Sequence, residues 1–219
     1  MTTPATSPKN ETAPVAGSRE TRATTTKLEL RAASADGELV TASGYAALFG
    51  VETDIGCGGR VYWREKIAAA AFAKSLREND VVALHSHNTG RVVGRMKAGT
   101  LTLREDAKGL AFENPLPDTS DGRDLNVSIE RGDIAGMSFG FCTTRQEWDE
   151  TVDPPTRTVL EAELYEITYT AFPAYPDTTV GLRDLENARQ ERSDHNKTAA
   201  SMRIAARRAR QAQLERGIR

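Results

Sequence analysis

Thr158-Val159-Leu160-Glu161-Ala162-Glu163-Leu164-Tyr165-Glu166-Ile167-Thr168-Tyr169 is the stretch that decides the fold class of this chain. Leu160, Ala162 and Leu164 alternate with Glu161 and Glu163, and β-branched and aromatic residues follow, so the period is two and the run reads as strand. At this length it is expected to bend or break. Upstream, Ile134–Thr143 reads the same way. Gly99 precedes a strand at Thr100–Arg104, and Lys108-Gly109 turns the chain into Leu110–Phe112, which together predict a hairpin. Leu28 and Leu30 alternate with charged neighbours, and Glu38–Phe49, Val81–His87 and Leu101–Leu103 are further strand segments. Two helices are predicted. Residues 63–78 place Ile67, Ala71, Phe72 and Leu76 at helical spacing, and a second helix runs from about Ser120 to Arg131. Asp118, Thr119 or Ser120 caps its start and Gly132 suits its end. Neighbouring strands with two inserted helices predict a mainly β, α+β fold, closed or nearly closed and antiparallel, rather than a repeating βαβ unit.

The ends of the 219-residue chain read differently. Residues 1–26 are Thr, Ala, Ser, Pro and charged side chains, too polar to offset an ordering entropy of roughly 1–2 kcal/mol per residue. They are expected to form a disordered tail and lack the apolar segment of a signal peptide. From Glu186 to Arg219, nine Lys/Arg face four Asp/Glu, a local charge of +5, so with −2 overall residues 1–185 carry −7. This basic tail, 186–219, is expected to be disordered or helical on binding. The domain proper is 27–185. No window approaches the roughly 20 apolar residues of a membrane span, so no membrane partner is expected. The near-neutral total argues against a dedicated nucleic-acid binder. Cys57 and Cys142 are too few for a disulfide framework and lack metal-site spacing; they read as reduced thiols in a cytosolic protein.

The chemistry centres on Gly136-Met137-Ser138-Phe139-Gly140-Phe141 and on Leu84-His85-Ser86-His87-Asn88. A serine hydroxyl needs a base to act as a nucleophile at neutral pH. Gly136-x-Ser138-x-Gly140 has the pattern of a nucleophile elbow, but strand and not helix follows it, and the only later histidine, His195, lies in the polar tail. If Ser138 is a nucleophile, its base is expected upstream. On a strand His85 and His87 would share a face, an arrangement that also suits a metal pair, although no third ligand cluster completes a metal site. A third group would fix the imidazole tautomer and stabilise the imidazolium as it forms. Glu161, Glu163 and Glu166 are the candidates, with Glu166 preferred because large apolar residues flank it.

From Leu28 to Leu182 the chain resembles tailed-bacteriophage prohead (capsid maturation) proteases, which are related to the herpesvirus assemblin proteases. The resemblance rests on an ordered set: Gly44-Tyr45-Ala46-Ala47-Leu48-Phe49-Gly50; Ala70-Ala71-Phe72 with Ser75-Leu76; the histidine segment, then Val93-Gly94-Arg95; Arg131-Gly132-Asp133 running into the Ser138 segment; and Glu166-Ile167-Thr168 leading to Phe172-Pro173-Ala174. It implies an assemblin-like antiparallel β-barrel surrounded by a few helices. It also implies a serine endopeptidase with Ser138 as nucleophile, His87 as general base and Glu166 as third member, with no cofactor and no metal. Backbone amides near Ser138 or the Arg95 side chain would stabilise the oxyanion. The implied partner is the major capsid protein with its scaffolding segment, and also the chain itself, as substrate and as dimer or higher oligomer. The implied place is the immature phage capsid in the host bacterial cytoplasm. Rival readings are a catalytically silent assembly protein and a metal-dependent hydrolase built on His85 and His87.

Overall fold

In this computed structural model, which describes residues 10–12, 19–32, 39–57 and 59–172, the run that closes the core forms β12 (Thr156–Thr170). It pairs antiparallel along its length with β11 (Gly136–Asp149). Alternation orients both strands. Met137, Phe139 and Phe141 of β11 and Ala162, Leu164, Ile167 and Tyr169 of β12 are buried in one core cluster. The register between the two strands slips at three places, one of them beside Ser138. Gly140 pairs with Glu166 but Phe141 pairs with Leu164, so Tyr165 is an extra residue on β12. Such a bulge re-aims the side chains beyond it. Glu166 thereby turns away from the core, onto the face that carries Ser138.

Beside β12 run two parallel neighbours, β6 (Arg60–Ile67) along its first half and β7 (Val82–His85) along its second. β5 (Thr53–Cys57) forms a hairpin with β6, and β8 (Asn88–Arg95) forms one with β7. On its other side β11 pairs with β1 (Asn10–Thr12) and β2 (Glu20–Thr24). A second, four-stranded sheet has the order β3 (Glu29–Arg31), β4 (Thr41–Leu48), β10 (Gly109–Pro115), β9 (Thr102–Glu105). The main core lies between the sheets, where Phe112 meets Tyr169 edge-on at 5.8 Å and Phe72 meets Phe139 at 5.7 Å. Each such side chain contributes roughly 1.5–3 kcal/mol of burial.

The mainly β, α+β reading holds, but three expectations are corrected. Among the described residues neither sheet closes on itself, and the large one contains parallel pairs, so the antiparallel barrel is replaced by two packed sheets tied at one corner by a Phe49–Ile67 bridge. The helix expected over 63–78 is instead β6 followed by a six-residue α1 (Ala73–Glu78). Trp63, Glu65 and Ile67 are buried in alternation there, and the charge of Glu65 hides that period from the sequence. Within residues 1–26, expected to be a disordered tail, Glu20–Thr24 forms strand β2. The second helix, α2 (Ser120–Arg131), stands as read: Thr119 caps it by accepting the Gly122 N–H, and Gly132 ends it at φ 80°. The readings made for residues 173–219 lie outside the described residues.

What recruits β2 is charge. Fully buried Arg157 donates to both oxygens of Glu20 at 2.6 and 2.9 Å, to Glu65 at 2.8 Å and to Gln146 at 2.6 Å. Arg22 donates to Glu65 at 2.6 and 3.0 Å and to Glu20 at 2.7 Å. The four charges cancel, the condition under which buried ions are tolerated. Burial alone would raise the Glu65 carboxyl, but Arg22 and Arg157 outweigh it and hold it at about 2.

Candidate active site

Ser138 is buried on β11, in register with Thr168 of β12. Two residues on, Gly140 lies opposite Glu166, and a Cβ built there would stand 2.8 Å from the Glu166 Cγ and 3.0 Å from its Oε1. Only glycine leaves room for the glutamate to lie across the strand. From that position Glu166 Oε1 is 2.7 Å from His87 Nδ1.

His87 reaches the carboxylate because of a tight turn. The β7–β8 hairpin pairs His85 with Asn88, so Ser86 and His87 are its two central residues, and both have φ 56°. Two positive φ values define the hairpin turn whose twist matches its strands, normally built from Asn and Gly. Non-glycine residues there cost roughly 1–2 kcal/mol each. Strain of this kind gathers at functional sites. The strand therefore ends at His85, and the expectation that His85 and His87 share a strand face is corrected. His85 is buried, its Nδ1 has no hydrogen-bond partner among the described residues, and desolvation lowers its pKa. Among the described residues no group of three or more His, Cys, Asp and Glu side chains is placed to hold a metal ion.

The electrostatics of the pair fix its tautomer. An ionised carboxylate only accepts, so the proton of neutral His87 sits on Nδ1 and the Nε2 lone pair is free to take another. Ser138 is not joined to that nitrogen. Its hydroxyl donates instead to the backbone carbonyl of Arg22 at 2.9 Å, and no hydrogen bond links it to His85 or His87. Of the three expected site residues, the structure joins two and leaves the third bonded to β2.

The other candidates are engaged elsewhere. Glu161 meets Lys74 at 3.5 Å and Thr144 at 3.3 Å, while Glu163 accepts from the Tyr165 hydroxyl at 2.9 Å. Arg95 donates to Asp80 at 2.6 Å. Burial raises the Asp80 carboxyl, yet the Lys97 amide and Arg95 together hold it below its usual range. Thr168 escaped the sequence reading. It is fully buried opposite Ser138, with an Oγ1 that has no hydrogen-bond partner among the described residues. Its signal was its spacing: Glu166 and Thr168, two apart, fall on one strand face.

A buried serine and a carboxylate-bound imidazole, carried by β11 and by the hairpin turn beside β12, are the component groups of a serine hydrolase. Residues 26–191 match the family described as caudovirus prohead serine protease, and the chain belongs to that family. Membership implies a serine protease that associates with the capsid protein inside the phage prohead. No curated protein and no solved structure matches the chain. No helix among the described residues is long and apolar enough to cross a membrane.

Proposed function

We propose that the chain is a serine endopeptidase in which Ser138 is the nucleophile, His87 the general base and Glu166 the third member. Its substrate in this reading is the scaffolding part of the major capsid protein, with self-cleavage alongside, in the maturing prohead within the host cytoplasm. Kinship with the herpesvirus assemblin proteases belongs to the same proposal. The 2.7 Å contact between His87 and Glu166 carries it.

The steps follow from that contact. The Ser138 hydroxyl leaves the Arg22 carbonyl and turns its proton toward His87 Nε2. Oγ attacks a peptide carbonyl as the proton passes to the imidazole, and Glu166 stabilises the imidazolium. The imidazolium returns the proton to the leaving amine, which departs and leaves an acyl-enzyme. Water, deprotonated by the same His87, then releases the new carboxylate and restores the hydroxyl. Arg95 is held by Asp80, so the oxyanion donors in this reading are backbone amides beside Ser138 on the edge of β11 that β2 covers.

Co-expression with the cognate capsid protein tests the proposal. A shortened capsid band is expected with the wild-type chain and none with Ser138→Ala. Cleavage that survives Ser138→Ala removes the nucleophile assignment.

A further inference from the structure

Strands β1 and β2 precede residue 26, where the family match begins, yet both pair with β11. β2 takes the half of β11 that carries Ser138, with Thr24 opposite Met137, Ala23 opposite Ser138 and Glu20 opposite Phe141. Its Arg22 carbonyl accepts the Ser138 hydroxyl at 2.9 Å. An extended segment laid along a sheet edge is also how many proteins receive a peptide, with backbone pairing giving affinity and alternate side-chain seats giving specificity. β2 fills two such seats: Glu20 lies against Arg157, and Arg22 lies against Glu65.

The seats would stay charge-balanced without their occupant. Removing β2 takes away one negative and one positive charge together. Glu65 Oε2 and Arg157 Nη1 also meet each other directly at 2.8 Å, and Gln146 and Thr143 accept from Arg157, so no buried charge would be left alone. On its other side β2 borders a cavity of about 300 Å³ whose lining includes Thr24, Val51, Ile55 and Phe139, so the strand is not sealed in from that direction.

We propose that β2 is an internal occupant of the peptide-binding edge beside Ser138. The vacated edge takes an extended peptide in which an acidic residue is followed two positions later by a basic one, read by Arg157 and Glu65. This rests on Ser138 being the nucleophile. The β2-paired form is then latent, and peptide and β2 compete for the same edge.

The test uses the full chain and a serine-reactive fluorophosphonate, with the adduct located by mass spectrometry. Reversing both charges, Glu20→Lys with Arg22→Glu, sets like charges against Arg157 and Glu65. Freeing β2 in this way is expected to raise the labelling rate of Ser138 at least about tenfold, since apparent reactivity scales with the open fraction. A synthetic peptide spanning Arg19–Thr25 should slow labelling of this variant, whereas the same peptide with both charges reversed should not. Ala23→Pro, which impairs strand pairing but leaves the charges, provides a second way to free β2 and should also raise the rate. Equal labelling of wild type and both variants overturns the inference while the nucleophile reading stands. So does loss of the folded state in both variants, seen by circular dichroism, because β2 is then structural. Absence of a Ser138 adduct in every folded form removes the nucleophile reading itself, and this inference with it.

Discussion

Gly140→Ala is a one-methyl perturbation that should act on catalysis far more than on stability. The added Cβ would lie 2.8 Å from Glu166 Cγ and 3.0 Å from Oε1, against ordinary carbon contacts of about 3.5–4.0 Å. The strand backbone is fixed by pairing on both sides, so the glutamate side chain is the part that yields, by roughly 0.7 Å or more. A hydrogen bond that starts at 2.7 Å then passes the length at which it holds an imidazole in place. A bond to a charged group is worth about 1.5–3 kcal/mol. At roughly 1.4 kcal/mol per decade, kcat/KM should fall about ten- to hundredfold. The assay is steady-state cleavage of a capsid-derived peptide by wild type, Gly140→Ala, Glu166→Ala and the double variant. The methyl should cost little once Glu166 is already truncated, so the two losses should not add. An equal loss from Gly140→Ala in both backgrounds would refute the reasoning, because the methyl would then be acting on something other than the glutamate.

The ionic cluster makes stability depend on acid. Glu65 is held at about 2, below its ordinary 4.5, so its contribution is complete above about 4.5 and disappears as the pH falls to about 2. That shift corresponds to on the order of 3 kcal/mol. Urea unfolding should show a loss of this order across the window, with a shallower slope in Glu65→Gln; a flat profile contradicts the pairing. Ser86→Gly relieves a residue at φ 56° and should raise the unfolding free energy by about 0.5–1 kcal/mol without slowing Ser138 labelling. A fall in stability would mean that the serine side chain has a role the turn geometry does not reveal. Loss of a general base removes about 10²–10⁴ in rate, so His87→Ala should be crippled, while His85→Ala should chiefly lose stability. Equal, mild losses would undo the assignment of His87.

Much of the fold could be read from period and turn chemistry. The α2 boundaries come from the capping candidates Asp118, Thr119 and Ser120 and from Gly132, and the β9–β10 hairpin from Gly99 and Lys108-Gly109, all local signals whose causes lie within a few residues. The failures share a different cause. Glu20, Arg22 and Glu65 look like solvent residues until a distant Arg157 is brought to meet them, so both β2 and β6 were hidden by charges that are buried only in the folded chain. The parallel placement of β6 and β7 beside β12 is likewise a long-range outcome that no local pattern encodes.

At the site, the sequence names side chains but does not convey their geometry. Glu166 was preferred for its apolar flanks, and the structure does set it against His87, but through the Tyr165 bulge and the clearance over Gly140. His87 was expected on a strand and stands in a turn. Strict period-two reasoning fails wherever one inserted residue resets the alternation. The hydroxyl–carbonyl bond from Ser138 to Arg22 could not have been anticipated, since it depends on a strand that the composition of residues 1–26 concealed.

The most direct measurement is the mass of the chain itself, trapped during turnover. Incubation with a scaffold-derived peptide, acid quench and fragment mapping should find an acyl group on Ser138, strongly diminished in His87→Ala and in Glu166→Gln. An acyl group on another residue, or peptide cleavage that persists in Ser138→Ala, would contradict the account.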